Sequence, residues 1–442
     1  MGRRFRRILW AGAGAMMASG SLTTRVFAAD GTTVNPGDTA WLLMSAALVL
    51  LMTPGLAFFY GGLVRRKNML SILMQCFTLM CLVTLQWVGF GYSLAFGPDV
   101  KGLIGSLGWM GLRGVGLEPN ATYAATIPHQ LFMIYQAMFA IITPGLILGA
   151  FAERMRFSAF CLFSLLWATL VYDPVAHWVW AAGGFLRADG ALDFAGGTVV
   201  HVNAGLAALA ATLVLGKRQG YPSHLSPPHN LPFAVLGAGL LWFGWFGFNA
   251  GSALGSGQLA VTAFVASHIS AATAGLAWAL LDWIVNAHPT MLGMITGAVA
   301  GLVAITPAAG FVGPIDAIWI GAGASLICYG AVAIVKAKCG YDDALDAFGV
   351  HGIGGIWGAL ATGLWASKAV NAAGANGLFY GHPAQLLIQL KATLITAVYS
   401  FVATLGLLKL VDAVVGLRAS EEEERIGLDL TQHREAAYTV LD

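Results

Sequence analysis

ALDFAGGTVVHVNAG, residues 191–205, places one histidine, His201, in a run that carries no charged residue from Phe194 through Gly216. The arrangement returns in DDALDAFGVHGIGGIWG, residues 342–358. Asp343 precedes His351 by eight residues, as Asp193 precedes His201, and Gly205 and Gly355 each follow their histidine by four, on the same helix face. These two segments are the fifth and tenth of eleven apolar runs. Five runs make an odd-numbered unit, so a second copy lies upside down relative to the first, which is the inverted-repeat plan of many transporters.

The runs cover roughly 38–62, 70–97, 129–150, 158–181, 196–215, 231–250, 259–285, 291–307, 315–335, 346–367 and 386–415. About 20 apolar residues suffice to cross a hydrocarbon core as a helix. Only 10% of the chain is charged and its formal charge is +2, against a soluble average of about 25% charged residues. The expected fold class is therefore an all-α membrane protein with a lipid bilayer around it. No soluble domain of any size, no cofactor and no nucleic-acid partner is expected.

Ahead of the first run, Arg3, Arg4, Arg6 and Arg7 precede a modest apolar stretch and the small residues Ala28 and Ala29. By pattern residues 1–29 form a cleavable signal peptide; the alternative is an uncleaved anchor helix. Cleavage leaves the new N-terminus outside, and eleven spans then end inside. Arg65, Arg66, Lys67, Arg154, Arg156, Lys217, Arg218, Lys336, Lys338 and Arg418 fall on the side this topology makes cytoplasmic, with only Lys101, Arg113, Arg187 and Lys368 opposite, in keeping with the positive-inside rule. The five cysteines lie in or at the cytoplasmic ends of spans and imply no external disulfide framework. The transmembrane part is read as residues 36–415. Composition favours reading the charged tail, 416–442, as a disordered, solvated end over a docking element.

An ionisable ring at membrane depth is costly and ordinarily faces a cavity or a partner. Two histidines at matching depth in matching segments predict mutual pairing, one ring donating and the other accepting while at least one stays neutral; the bland alternative is two core histidines bonded to backbone carbonyls. A metal site is disfavoured, because no HxxxH or HExxH pattern is present and an eight-residue spacing puts each aspartate about 12 Å from its histidine along a helix. Asp193, just ahead of its span, reads first as a cap on the free amides of the helix start, a role compatible with stabilising a passing cation. Trp245, Phe248 and Ser252 share one helix face, as do Tyr135 and Phe139, and Trp178 and Trp180 end the fourth run. Single interfacial aromatics are ordinarily belt anchors, but aromatic faces with a hydroxyl also make a site for a compact cation.

FFYGGLVRRKNML (58–70), AFAERMRF (150–157), ALDFAGGTVVHVNAG, GWFGFNAGS (244–252), DDALDAFGVHGIGGIWG and the tail VGLRASEEEERIGLD (415–429) together resemble the ammonium transporter (Amt/Mep/Rh) family, of bacterial Amt type, over about residues 36–438. The resemblance implies a homotrimer of eleven-helix subunits in a bacterial inner membrane, each with its own pore. It puts Phe139 and Phe248 in a stacked phenyl gate, Trp180, Ser252 and Asp193 at an external ammonium recruitment site, and His201 and His351 in a twin-histidine pore. Tyr135 stands where another wall aromatic is often phenylalanine, adding a hydroxyl to the vestibule. Gln136, Trp245 and Asp343 fall in motifs around the gate and pore. The tail, on this resemblance, couples subunits and accompanies docking of a PII-type signalling protein, which reverses the compositional preference for a disordered end. The implied activity is recruitment of ammonium, its deprotonation and conduction of ammonia, not an enzymatic reaction; an ammonium sensor signalling through its tail and a membrane metalloenzyme are the competing classes.

Overall fold

The computed structural model describes residues 34–223 and 227–438; the expected signal peptide lies outside them. Among the described residues nine helices are long and apolar enough to cross a membrane: α1 (Pro36–Leu63), α2 (Arg66–Phe96), α3 (His129–Phe151), α4 (Phe157–Ala188), α5 (Gly197–Leu215), α6 (Leu231–Ala253), α7 (Gln258–Asn286), α9 (Pro314–Cys339) and α11 (Ala384–Val415). The other two expected positions hold weaker helices. α8 (Met291–Ile305) is cut short by turns over 306–312, which are wholly buried; irregular backbone at membrane depth is tolerated where protein covers it. α10, a π turn Phe348–Gly352 continuing as Ile353–Trp365, is interrupted by six glycines that dilute its hydropathy. Between α2 and α3 the chain makes two small antiparallel hairpins, β1 (Asp99–Val100) with β2 (Ile104–Gly105) and β3 (Pro119–Asn120) with β4 (Ala124–Pro128).

The echo seen in the sequence is an echo in space. α5 and α10 each open with a π turn, Gly197–Val202 and Phe348–Gly352, and each histidine is the second-last residue of its turn. α4 and α9 carry π turns as well, at Ala168–Tyr172 and Gly330–Val335. The two repeat glycines are where the copies meet: a Cβ on Gly205 would stand 2.1 Å from Gly352 Cα, and one on Gly355 would stand 2.9 Å from Val202 N and 3.0 Å from His201 Cβ. Neither position has room for any side chain. This close approach of α5 and α10 fixes the separation of the two histidines.

The helix ends that carry most of the basic residues are tied together by charge. Buried Glu153, in left-handed backbone at φ +74°, accepts from Arg65 N–H (2.8 Å), Arg65 Nε (2.9 Å) and Asn68 Nδ2 (2.9 Å). Arg218 lies 3.5 Å from its second oxygen and forks onto Asp342. The tail packs on the same face: Asp429 accepts from the Leu70 and Ser71 amides at the start of α2, and Arg418 joins Glu424 to the Leu215 and Lys217 carbonyls. Those specific partners order a segment that composition alone reads as solvated. Burial pushes the Glu153 carboxyl up, but the charge and hydrogen bonds of Arg65, helped by Arg218, outweigh it and leave the group below its usual range. A depressed carboxyl stabilises the fold above its unfolded value, and that contribution disappears as pH falls through the folded value. Glu153→Gln is accordingly expected to melt as a protein less stable by about 3 kcal/mol at neutral pH, with the gap to wild type closing below about pH 4; a gap of constant size across that range, in detergent melting curves, would contradict the ionic account.

Candidate functional site

Two cavities approach each other through the centre of the bundle. The wider, about 260 Å³, is lined among others by Gln136, Phe139, Trp180, Asp193, Phe194 and Ser252. Its floor is a pair of rings, Phe139 from α3 and Phe248 from the π turn Phe246–Ala250 of α6, with centroids 4.4 Å apart. Trp180 stands edge-on to Phe139 at 5.7 Å, and its indole N–H donates to the Asp193 carbonyl at 2.9 Å. Ser252 Oγ donates to the Phe248 carbonyl at 2.9 Å and lines the cavity.

Asp193 is consumed as a cap. Its two oxygens accept from the amides of Gly196 (2.8 Å), Gly197 (2.6 Å), Thr198 (2.9 Å) and Val199 (3.0 Å), so one carboxylate satisfies the four free N–H groups at the start of α5. Gly196, at φ +114°, supplies the reversal that brings those amides round to it. Asp343 repeats the cap with two bonds, to the Ala347 (3.0 Å) and Phe348 (2.8 Å) amides; burial and the neighbouring Asp346 raise its carboxyl above the usual range.

Tyr135 departs from expectation. It is fully buried, and its hydroxyl faces the Gly247 (2.9 Å) and Phe248 (3.0 Å) carbonyls and Ser252 Oγ (3.2 Å), so it braces the turn that carries Phe248 and adds no hydroxyl to the vestibule wall. Its ring contributes only the edge contact with Phe139, at 5.1 Å.

Behind the ring pair the passage narrows to about 10 Å³, walled by Leu56, Ile142, Leu146, Val200, Leu241 and Val299 with His201, Trp245 and His351. That is room for about one water-sized molecule. The two imidazoles are nearly parallel, 11° apart with centroids at 5.3 Å, and His201 lies at 19° to Trp245, 5.5 Å away. Trp245 is locked in turn by its N–H on Thr306 Oγ1 at 2.9 Å. The expected hydrogen bond between the histidines is absent: neither nitrogen of His201, nor Nδ1 of His351, has a protein partner. The glycine contact between α5 and α10 sets how closely the rings meet. For His201, bonding to backbone carbonyls fails on the same observation.

The second cavity, about 180 Å³, lies beyond His351 and includes Phe59, Tyr60, Thr296 and Asp346. Sequence reading missed these. Asp346 was within reach, because it occupies the repeat position of Gly196, three residues after the capping aspartate; it too has a positive φ, +59°, and it pairs with Lys336 Nζ at 2.6 Å. Among the described residues no three His, Cys, Asp or Glu side chains are grouped to hold a metal.

Known proteins can be set beside this geometry. The profile of the Ammonium Transporter Family matches residues 40–438. The ammonium transporter of Bacillus subtilis is 54% identical over 91% of this chain and 98% of its own length. The crystal structure of Candida albicans Mep2 superposes with a TM-score of 0.84 at 37% identity, covering 88% of each chain, and a sensor Amt protein does so with a TM-score of 0.83 at 29% identity, covering 90% of this chain and 98% of that one. The stretch the family profile matches, 40–438, includes both histidine segments and the tail through Tyr438. The chain belongs to the ammonium transporter family.

Proposed function

We propose that this chain, a multi-pass ammonium transporter and not an enzyme, takes up ammonium in the Trp180 vestibule, strips it of a proton at the Phe139–Phe248 ring pair and passes ammonia between His201 and His351 to the Asp346 vestibule. The reading rests on one observation above the others: a water-sized, apolar passage in which both nitrogens of His201 and Nδ1 of His351 have no protein partner. Moving a bare ion into such a passage costs far more than moving a neutral molecule. Ammonium and potassium match in charge and closely in size, but only ammonium can shed its charge by giving up a proton. Trp180 and Phe139 offer aromatic faces, Ser252 an acceptor oxygen, and Asp193 a fixed negative charge beneath them, a set suited to a small hydrogen-bonding cation. Gln136 adds an amide to the same wall, and Trp245 keeps His201 in its plane.

The released proton travels separately, along or beside the histidine pair, which remains uncharged or shares one proton because two adjacent charges in this setting repel strongly. The Trp180 vestibule faces outward and the tail-bearing face inward, as the basic residues place them. Residues 1–29 are removed as a signal peptide, the working unit in the bacterial inner membrane is a homotrimer, and a PII-type protein docks on the inner face against the ordered tail.

The test is a solid-supported-membrane recording on reconstituted wild type. Ammonium pulses are expected to evoke a saturable current, and potassium pulses none. Ammonia permeability without current would replace proton splitting by a gas channel. Neither signal would favour an ammonium sensor, the reading that the similarity to a sensor Amt protein makes the natural second.

A further inference from the structure

The last helix, α11, lies outside both copies of the repeat, yet it reaches the vestibule wall from behind at Leu192. Gln389 is buried, and its amide reads one residue at two points: Oε1 accepts from Leu192 N–H at 2.7 Å, and Nε2 donates to the Leu192 carbonyl at 2.7 Å. The same Nε2 lies 3.2 Å from the Ala359 carbonyl of α10. One turn earlier, Gln385 donates to Gln389 Oε1 and to the Gly190 carbonyl, which fixes which end of the Gln389 amide is which. Leu192 immediately precedes Asp193.

The second copy anchors the equivalent residue by different chemistry. Asp342, directly before Asp343, has its carbonyl held by Arg154 Nη2 at 2.7 Å and its carboxylate by Arg218. A neutral amide does in one half what two guanidinium groups do in the other. Anchoring of one repeat position by a helix amide in one half and by loop guanidinium groups in the other marks the position itself as one the structure has to fix.

Resting on the transport reading above, we infer that Gln389 is a positioning residue for ammonium uptake: it sets Leu192 so that the Asp193 carboxylate meets its four amides and stays beneath Trp180. It touches no substrate. The physical step is short, because the Asp193 bonds span only 2.6–3.0 Å and a slip of the preceding peptide by a few tenths of an ångström is enough to unseat them.

Gln389→Met keeps length and volume and deletes all the bonds; Gln389→Glu keeps the acceptor for Leu192 N–H and loses the donor. In ammonium titrations of reconstituted protein, the Met variant is expected to raise the half-saturating concentration about tenfold, the equivalent of one or two buried hydrogen bonds, with the Glu variant in between. Hydrogen exchange of the peptide covering 192–199 is expected to speed up in the same order, and this reading does not depend on transport. A purely structural role would lower folded yield and maximal current while leaving half-saturation and exchange at wild-type values, and that result overturns the inference; if the Met variant does not fold, the Glu variant is judged by the same two measurements. A wild type silent to ammonium while exchange responds as stated would count against the transport cycle and leave the anchor standing.

Discussion

Asp193→Ala is expected to give no measurable ammonium current and a protein less stable by about 3 kcal/mol. Both effects come from one carboxylate. The substitution strips partners from four amides at a buried helix start; each charge-assisted bond is worth roughly 1.5–3 kcal/mol, but the losses do not add, and water from the adjoining vestibule recovers part of them. It also removes the fixed negative charge under Trp180. A charge pair a few ångströms apart at a partly buried site is worth on the order of 3 kcal/mol, which is over a hundredfold in occupancy.

Asp193→Asn separates the two contributions. An amide keeps the shape and one acceptor oxygen but turns an NH2 group toward two of the four amides, so the fold loses less than in the alanine variant while the charge is wholly gone. Current in the asparagine variant is therefore expected to fall nearly as far as in the alanine variant, with melting temperature between it and wild type. An asparagine variant that saturates at wild-type ammonium concentrations would reduce Asp193 to a helix cap with no part in uptake.

Which of these features the sequence displayed depends on whether the partner is local. The aspartate, histidine and glycine of each repeat lie within thirteen residues, the aspartate ahead of the helix and the other two on one face of it, so their spacing announces both the cap and the inverted copy. Asp346 was legible in principle by aligning it with Gly196. Tyr135 was not: its hydroxyl is engaged by carbonyls 112 and 113 residues away, and nothing in YQAMF tells whether the ring edge or the hydroxyl faces the vestibule. Gln389 was hidden for the same reason, since its bonds to Leu192 are to backbone, at a separation of 197 residues, and backbone leaves no mark in the side-chain pattern. The histidines fall between. Their meeting followed from the repeat, but their separation follows from how closely Gly205 and Gly352 approach, a distance that composition does not encode. α8 shows the converse error, because the apolar count runs on through 306–307 while the backbone has already turned into a buried loop.

His201→Ala is expected to turn the passage from an ammonia path into a leak for potassium. In wild type the rings of His201, His351 and Trp245 leave about 10 Å³ between apolar walls, and an ion crossing it has to shed its water against a penalty far above what ammonia meets. Removing one imidazole opens space beside His351 for several waters. An ion that keeps part of its hydration shell no longer needs to lose its charge, so discrimination by deprotonation collapses: potassium current is expected to approach the ammonium current, a fall in selectivity of about a hundredfold or more, equivalent to roughly 2.7 kcal/mol. His201→Phe refills the space without the nitrogens, and the expected result is different in kind, since the passage stays dry but offers ammonia no hydrogen bond and the proton no stepping point; both currents should be lost. The pair of variants thus distinguishes what the ring excludes from what its nitrogens accept. Wild-type ammonium current with potassium still rejected in His201→Ala would show that His201 is packing and that selectivity is set wholly at the Phe139–Phe248 pair.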